Sequence, residues 1–373
     1  MNKMKVGIIY GGRSGEHEVS IRSASSVFKY LDRSKFEPIP IYIDKTGTWH
    51  WVTPKSDTLG VANDSPEVVL LPRPHRLNGE AKAIFAFQDQ AHFGKKESVD
   101  LLMPLVHGTN GEDGTLQGLL DSAEIPYTGG GVLSSALCMD KEVAKRLAEH
   151  ADIPVVPYRV AHVWDSPTKL QILLTDVEKN FGFPVFVKAA GQGSSLGVFK
   201  VKAREHFLSI LQETFKYDTK VLIERAIHAR EIEFGVLENP NPADPPLVTK
   251  PAEIIPGEEF YTYEDKYSDS SKAIAKIPAE IDGELKEKLT RLVQKIFTTL
   301  QCEGYARIDL FLDRENGAFY FNEVNTLPGF TSISMFPKTW EVSGIGYTDL
   351  LTKLIDLSLL RYKRRSKILR EKV

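Results

Sequence analysis

Apolar and polar positions change their period several times along the chain. KVGIIY (5–10) is a continuous apolar run of the kind that forms a buried strand. EVSIRSASSVFKYL (18–31) instead spaces Val19, Ala24, Val27, Phe28 and Leu31 along one helical face. FEPIPIYID (36–44) returns to strand. Strand, helix and strand in that order open an α/β unit with a mostly parallel sheet. SVDLLMPLVHG (98–108) adds a buried strand ending at His107, GTLQGLLDSA (114–123) a helix, and IPYTGGG (125–131) closes the layer. KAIFAFQ (82–88) reads as a further strand and DQAHFGKKE (89–97) as an exposed excursion. The stretch 74–97 is longer and more polar than such a layer needs.

The pattern then becomes mixed. SSALCMDKEVAKRLAEH (134–150) reads as one helix begun by serine caps, and TKLQILLTDVEKN (168–180) as another. FPVFVKAA (183–190) and KVLIERAI (220–227) are strands on either side of a glycine-rich loop and a helix. REIEFGVLEN (230–239) starts a last block of strands, with amphipathic helices at 284–302 and 347–365. These elements predict three domains: an α/β domain over 1–138, a smaller α+β domain over 139–228, and a third over 229–373. Residues 251–280 show little periodicity, and a loop of that length is uncommon unless it has a task.

Composition changes this picture little. The chain has 373 residues, 42% hydrophobic and 26% charged, with a formal net charge of −3. That is ordinary for a soluble globular protein and does not suggest a polyanionic partner. MNKMKVGIIY runs directly into a strand, and no stretch reaches the roughly 20 apolar residues of a membrane helix. Two cysteines make no disulfide framework and fit a reducing cytoplasm. The basic end RYKRRSKILREKV reads as the solvated end of a helix rather than a nucleic-acid or membrane contact.

Four stretches carry chemistry. Strands YARIDLFL (305–312) and AFYFNEVNT (318–326) flank the turn-rich DRENG. A turn centred on Asn316 puts Asp309 opposite Glu323, with Arg307 and Asn325 on the same face. Opposed residues lie about 5 Å apart at Cβ, so the two carboxylates need neutralising. A hard divalent ion such as Mg²⁺ does this with oxygen ligands, while a solvated face bridged by Arg307 is the plainer reading. In VFVKAAGQGSSLG (185–197), Lys188 precedes a loop with Ser194 and Ser195. Such a loop either covers phosphates with backbone N–H groups or forms an ordinary hairpin; no GK[ST] makes it a Walker A loop. LVHGTNGEDGTLQG (105–118) puts His107 after a strand and Glu112 and Asp113 before a helix. There the choice is between a capped turn and a helix N-terminus facing an anionic group. EEFYTYEDKYSD (258–269), with Tyr263, Lys266 and Tyr267, is suited to a lid that excludes water. Together these features point to ATP-dependent chemistry with a divalent ion, and leave the acceptor unnamed.

In GGRSGEHEVS, HGTNGEDGTLQG, GQGSSLG, REIEFGV, YEDKY, ARIDLFL and FNEVNTLPGFTSISMFP, taken in order, the chain resembles the D-alanine–D-alanine ligases over nearly its whole length. The resemblance implies an ATP-grasp fold, α/β and α+β, behind an N-terminal open parallel-sheet (pre-ATP-grasp) domain. It implies a cytoplasmic enzyme, commonly a homodimer, that uses ATP and two Mg²⁺ ions, with Mn²⁺ as a substitute. Its product is D-alanyl-D-alanine for peptidoglycan, made through a D-alanyl phosphate. Glu18 then resembles the anchor of the first D-alanine's ammonium, with His107 nearby, and Glu16 holds the loop. Arg307 and the backbone of Gly329 resemble the oxyanion donors. Ser194 and Tyr267 resemble partners of Glu18 in a bridge that closes the site. Ser334 resembles the group that holds the second carboxylate.

For the nucleotide, Lys141, Lys188, Ser194, Ser195 and Lys266 resemble phosphate contacts, Glu224 the adenine contact and Glu231 the ribose contact. Asp309, Glu323 and Asn325 resemble the metal ligands. Tyr267 resembles the lid tyrosine that relatives making D-alanyl-D-lactate typically lack, which favours D-alanine as second substrate, with a D-alanine–D-lactate or D-alanine–D-serine ligase as the alternative. Ala189 departs from the proline that many relatives carry after the lysine.

Overall fold

The computed structural model describes residues 3–255 and 274–369. Its strands form three main sheets. The first contains β1 (Met4–Gly11), β2 (Phe36–Ile43), β3 (Trp49–Trp51), β4 (Glu67–Leu70), β7 (Ala83–Phe87), β8 (Lys96–Val99) and β9 (Leu101–Pro104), in the order β8-β7-β4-β3-β2-β1-β9. Strands β5 (Arg76–Leu77) and β6 (Glu80–Ala81) make a separate small hairpin inside the 74–97 excursion. Only β2, β1 and β9 run parallel. The other pairs are antiparallel, so the parallel sheet expected from the sequence is a three-stranded core with an antiparallel extension. The reason is connection length. Helix α1 (His17–Tyr30) is long enough to carry β1 over to a parallel β2, whereas the tight turn at 44–48 can only reverse the chain.

The second sheet has four antiparallel strands in the order β10-β13-β11-β12: β10 (Tyr158–His162), β11 (Val185–Ala189), β12 (Val198–Val201) and β13 (Lys220–Arg225). The third holds β14 (Ala229–Leu237), β15 (Leu247–Val248), β16 (Ala252–Ile255), β17 (Ile274–Lys276), β18 (Tyr305–Asp313) and β19 (Phe319–Asn325). Strands of the first sheet lie within 1–138, those of the second within 139–228 and those of the third within 229–373. Among the described residues the other α-helices are α2 (Thr115–Ser122), α3 (Val132–Met139), α4 (Lys141–His150), α5 (Pro167–Asn180), α6 (Phe207–Thr214), α7 (Gly283–Thr299), α8 (Met335–Val342) and α9 (Tyr347–Arg365).

The run 134–150, expected as one helix, is two. Asp140 is extended, at φ −83° and ψ 98°, and its carboxylate accepts the N–H groups of Glu142 and Val143. An aspartate in that role starts a new helix, so Lys141 becomes the first residue of α4 rather than a mid-helix position. Its backbone N–H donates to Ala190 O at 3.0 Å, which ties α4 to the end of β11.

Hydrophobic burial joins the three sheets. Helices α4 and α7 pack Ala144, Ala148, Leu289, Val293 and Ile296 against Ile232, Phe234, Ile308 and Leu310 of the third sheet. Helix α9 and the 327–340 segment share one apolar cluster with Val6, Ile8 and α1 of the first sheet. Arg361, 4% exposed, reinforces that junction: its guanidinium donates to Gly129 O and, at 2.6 Å, to Tyr127 O. Replacing it leaves two carbonyls of a buried loop without donors. Arg361→Met is expected to cost about 3 kcal/mol of stability, seen as a lower urea midpoint with an unchanged far-UV spectrum.

Candidate functional site

Strands β18 and β19 supply the centre of the site. Asp309 is paired with Glu323 and Arg307 with Asn325 across the ladder, the register expected from the turn. Ile308 and Leu310 face the other way, into the core. A bulge between Asp309 and Leu310 shifts the ladder, so that Leu310 meets Phe321 and both Asn322 and Glu323 line the cleft. Strict alternation cannot reveal Asn322. Across the cleft stand Lys141 at the start of α4, Lys188 on β11 and the 191–197 loop, with Phe186 and Phe311 as apolar walls.

The charges of this cleft neutralise one another. Arg307 holds Asp309 through two bonds, Nε to Oδ1 at 2.8 Å and Nη2 to Oδ2 at 2.7 Å. Its Nε also lies 3.4 Å from Glu233 Oε2. Burial acts to lower the guanidinium pKa, but Asp309 and then Glu233 outweigh it and push the value well up. Lys141 Nζ stands 3.4 Å from Glu323 Oε2 and donates to Gln192 O at 2.6 Å. Lys188 pairs with Glu224.

Carboxylate oxygens of Glu231, Glu233 and Asp309 can lie within 4.8 Å of one another. With Glu323 and the Asn325 amide, this hard-oxygen donor set fits a divalent ion. For the ion to take Asp309, the arginine has to give it up. Glu233 enters from β14, directly opposite Asp309 in the ladder, and its part was not read from the sequence.

The opening turn closes on the glycine loop. Ser194 and Ser195 have left-handed φ of 50° and 61°, a conformation that side chains rarely adopt. Glu16 comes up against the loop backbone: a Cβ at Gly193 would lie 2.6 Å from Glu16 Oε1. Glu18, the expected ammonium anchor, is not the glutamate that meets this loop. The Glu18 side chain is 61% exposed and pairs with Lys45 at 3.1 Å on the outside of α1. Residues two apart at the start of a helix point in different directions, so only one glutamate of EHE can face the cleft. That residue is Glu16.

His107 is 2% exposed, with both ring nitrogens bonded. Nδ1 donates to Leu327 O at 2.9 Å and lies 3.4 Å from Glu112, while Nε2 meets Ser23 Oγ at 2.9 Å. Ser23 Oγ accepts the Phe330 N–H at 3.2 Å. His107 thus fixes the segment that carries Gly329. Gly329 adjoins Ser334, whose Oγ would lie 2.8 Å from a Cβ at that glycine and accepts the Thr331 N–H at 3.1 Å. Glu224, 2% exposed, and Glu231 both line the cleft. Lys266, Tyr267 and Tyr263 lie outside the described residues. A separate cavity beside α9, of about 620 Å³, is lined by arginines already paired, Arg365 with Asp121 and Arg76 with Glu124.

A cleft between a four-stranded antiparallel sheet and a second, acid-bearing sheet, with lysines on one wall and carboxylates on the other, is the ATP-grasp arrangement. Family models described as the N-terminus and C-terminus of D-ala D-ala ligase match residues 5–130 and 147–356. The chain is 45% identical over 379 residues to D-alanine–D-alanine ligase A of Bradyrhizobium diazoefficiens, covering 98% of each. The D-alanine–D-alanine ligase of Coxiella burnetii has a similar structure, with TM-score 0.81, 32% identity and coverage of 98% of this chain and 96% of that one. VanG D-Ala:D-Ser ligase of Enterococcus faecalis gives TM-score 0.79 at 33% identity over 96% and 100% of the two chains. The Bacillus anthracis D-alanine–D-alanine ligase complexed with ATP gives 0.69 at 28% identity over 97% and 99%. The chain belongs to the D-alanine–D-alanine ligase family.

The buried group around His107 makes stability depend on pH. Burial pushes the Glu112 carboxyl up to about 7, with the His107 hydrogen bond opposing and Glu16 assisting. Burial acts to lower His107, but the hydrogen bond and charge of Glu112 outweigh it and raise the imidazole. Both groups hold a proton more tightly folded than unfolded. Their contribution is therefore full at low pH and lost as pH rises through the folded values. The melting temperature is expected to fall between about pH 5 and pH 8, and Glu112→Gln to flatten that decline in a differential scanning fluorimetry series.

Proposed function

We infer that this protein is an ATP-dependent ligase that joins two D-alanines into D-alanyl-D-alanine for peptidoglycan precursors. The observation that carries the reading is the Arg307, Asp309, Glu323 and Asn325 face of β18–β19, whose Glu323 lines one cleft with Lys141 and Lys188. The carboxylate of the first D-alanine attacks the γ-phosphate of ATP and releases ADP. The amine of the second attacks the resulting acyl phosphate. The tetrahedral intermediate then collapses to dipeptide and inorganic phosphate.

Each residue has a physical reason for its part. Glu16 stands beside His107 and Glu112, and raises the proton affinity of both. A substrate ammonium supplies the positive charge that this acidic group lacks, so Glu16 anchors the first D-alanine. Arg307 and the Gly329 N–H stabilise the oxyanion, and the Ser334 hydroxyl beside Gly329 receives the second carboxylate. Lys141, Lys188, Ser194 and Ser195 face the phosphates. The apolar slot between Phe186 and Phe311 takes the base, with Glu224 at its end and Glu231 toward the ribose. Asp309, Glu323 and Asn325 would hold Mg²⁺ or Mn²⁺, with Glu231 and Glu233 close by; bound there, divalent ions neutralise phosphate oxygens as charge builds up. We place the reaction in the cytoplasm, where ATP is available. Free Cys138 and Cys302, with sulfurs 3.7 Å apart, suit a reducing compartment.

D-Alanine-dependent phosphate release with product identification tests the reading. Absence of release with ATP, Mg²⁺ and D-alanine overturns it, and predominant D-alanyl-D-lactate at neutral pH overturns the choice of second substrate. Arg307→Ala is expected to lower kcat by about 10²–10³-fold while ADP still binds. Glu16→Gln should raise the KM for D-alanine, whereas Glu18→Gln leaves it at the wild-type value.

A further inference from the structure

Lys145 lies one turn beyond Lys141 on α4 and is 1% exposed. Lys141, Lys188 and Glu224 line the cleft; Lys145 lies behind Glu224. Its Nζ is 2.8 Å from Glu224 Oε1, donates to Phe321 O at 3.3 Å and lies 5.9 Å from the centre of the Phe321 ring. Lys188 pairs with the other oxygen, Oε2. One buried carboxylate therefore carries two ammonium groups, one facing the cleft and one behind it.

That arrangement resolves a conflict. A buried carboxylate needs a lasting counter-charge. Lysine is a compact point charge on a flexible stem, and it cannot face Glu224 and a nucleotide phosphate equally well. With Lys188 as its only partner, Glu224 would be stripped of its counter-charge each time the cleft filled. We propose that Lys145 is a positioning residue that keeps Glu224 ionised in the empty and filled cleft alike, and so releases Lys188 to the nucleotide. The proposal rests on the reading of this cleft as the nucleotide site.

The surrounding charges agree. Burial acts to raise the Glu224 carboxyl, but Lys145 first and Lys188 second hold it down at about 2. Burial lowers the Lys145 ammonium, with Glu224 acting against that. From the other elements, Lys188 faces the pair from β11 and Glu323 from β19, itself paired with Lys141. Arg225 on β13 and Glu231 on β14 line the same cleft, and Tyr158 on β10, opposite Glu224, bonds Glu149 at 3.1 Å. None of these but Lys145 contacts Glu224 from behind the cleft among the described residues.

Without Lys145, nucleotide binding must break the Lys188–Glu224 pair, and the bare carboxylate then takes up a proton. Binding becomes weaker and weakens further as pH rises. The test is calorimetric titration of ADP with Mg²⁺, without D-alanine, in two buffers of different ionisation enthalpy. Lys145→Met is expected to bind at least tenfold more weakly than wild type at pH 8, to recover toward pH 6, and to take up close to one extra proton on binding. Lys145→Arg should restore both properties.

A loss that is equal at both pH values with no extra proton, or an affinity within twofold of wild type, overturns the proposal. Lys145→Met/Glu224→Gln, read against Glu224→Gln alone, covers the case in which the single variant does not fold. Equal ADP affinity of those two is expected, because Lys145 acts only through Glu224, and a further tenfold loss overturns the proposal. Wild-type protein that binds no ADP overturns the nucleotide-site reading, and this one with it.

Discussion

Arg307, held between Asp309 and Glu233, is the interaction on which the rest of the site depends. A guanidinium and two carboxylates meet on the adjacent strands β14 and β18, and Asp309 is fully buried. Charges removed from water to that degree persist only when paired and hydrogen-bonded. The same rule holds along the whole cleft. Lys141 faces Glu323, and Lys145 and Lys188 flank Glu224. Each of these charged groups is thus held in place by an oppositely charged neighbour.

Turnover then becomes an exchange of partners. On the proposed reading, a nucleotide would draw lysines away from carboxylates, and Asp309, Glu323 and Asn325 would hold a divalent ion. Arg307 would then keep Glu233 at its Nε, and that contact would orient its plane toward developing negative charge.

Three sheets have to meet for this to work, and the joints between them are polar as well as apolar. His107 of the first sheet bonds Leu327 O beyond β19, and Glu16 lies against Gly193 of the second. Arg361 ties α9 back to the 127–129 loop. These contacts join residues up to 234 positions apart, so the site exists only when all three cores have formed.

Much of this was legible in the pattern of residues. The buried first strand, α1 and the hairpin register of Asp309 with Glu323 follow from period and turn chemistry, which act over a few residues. Glycine spacing likewise marked the 191–197 loop. Other features were not local. The split at Asp140 depended on a side chain capturing two backbone N–H groups, and the bulge after Asp309 brought Asn322 into the cleft against simple alternation. Glu16 and Glu18 are equivalent in composition and two positions apart, and only the packing of α1 against the glycine loop separates them. The charges of Glu112, Glu224 and Lys145 depend on burial and on partners up to 176 residues away, which no short stretch contains. The sequence by itself determined the elements, the family and the kind of chemistry, because those are carried by local periodicity and motif. The tertiary structure decided which carboxylate meets which cation, because desolvation and pairing exist only once distant segments are packed together.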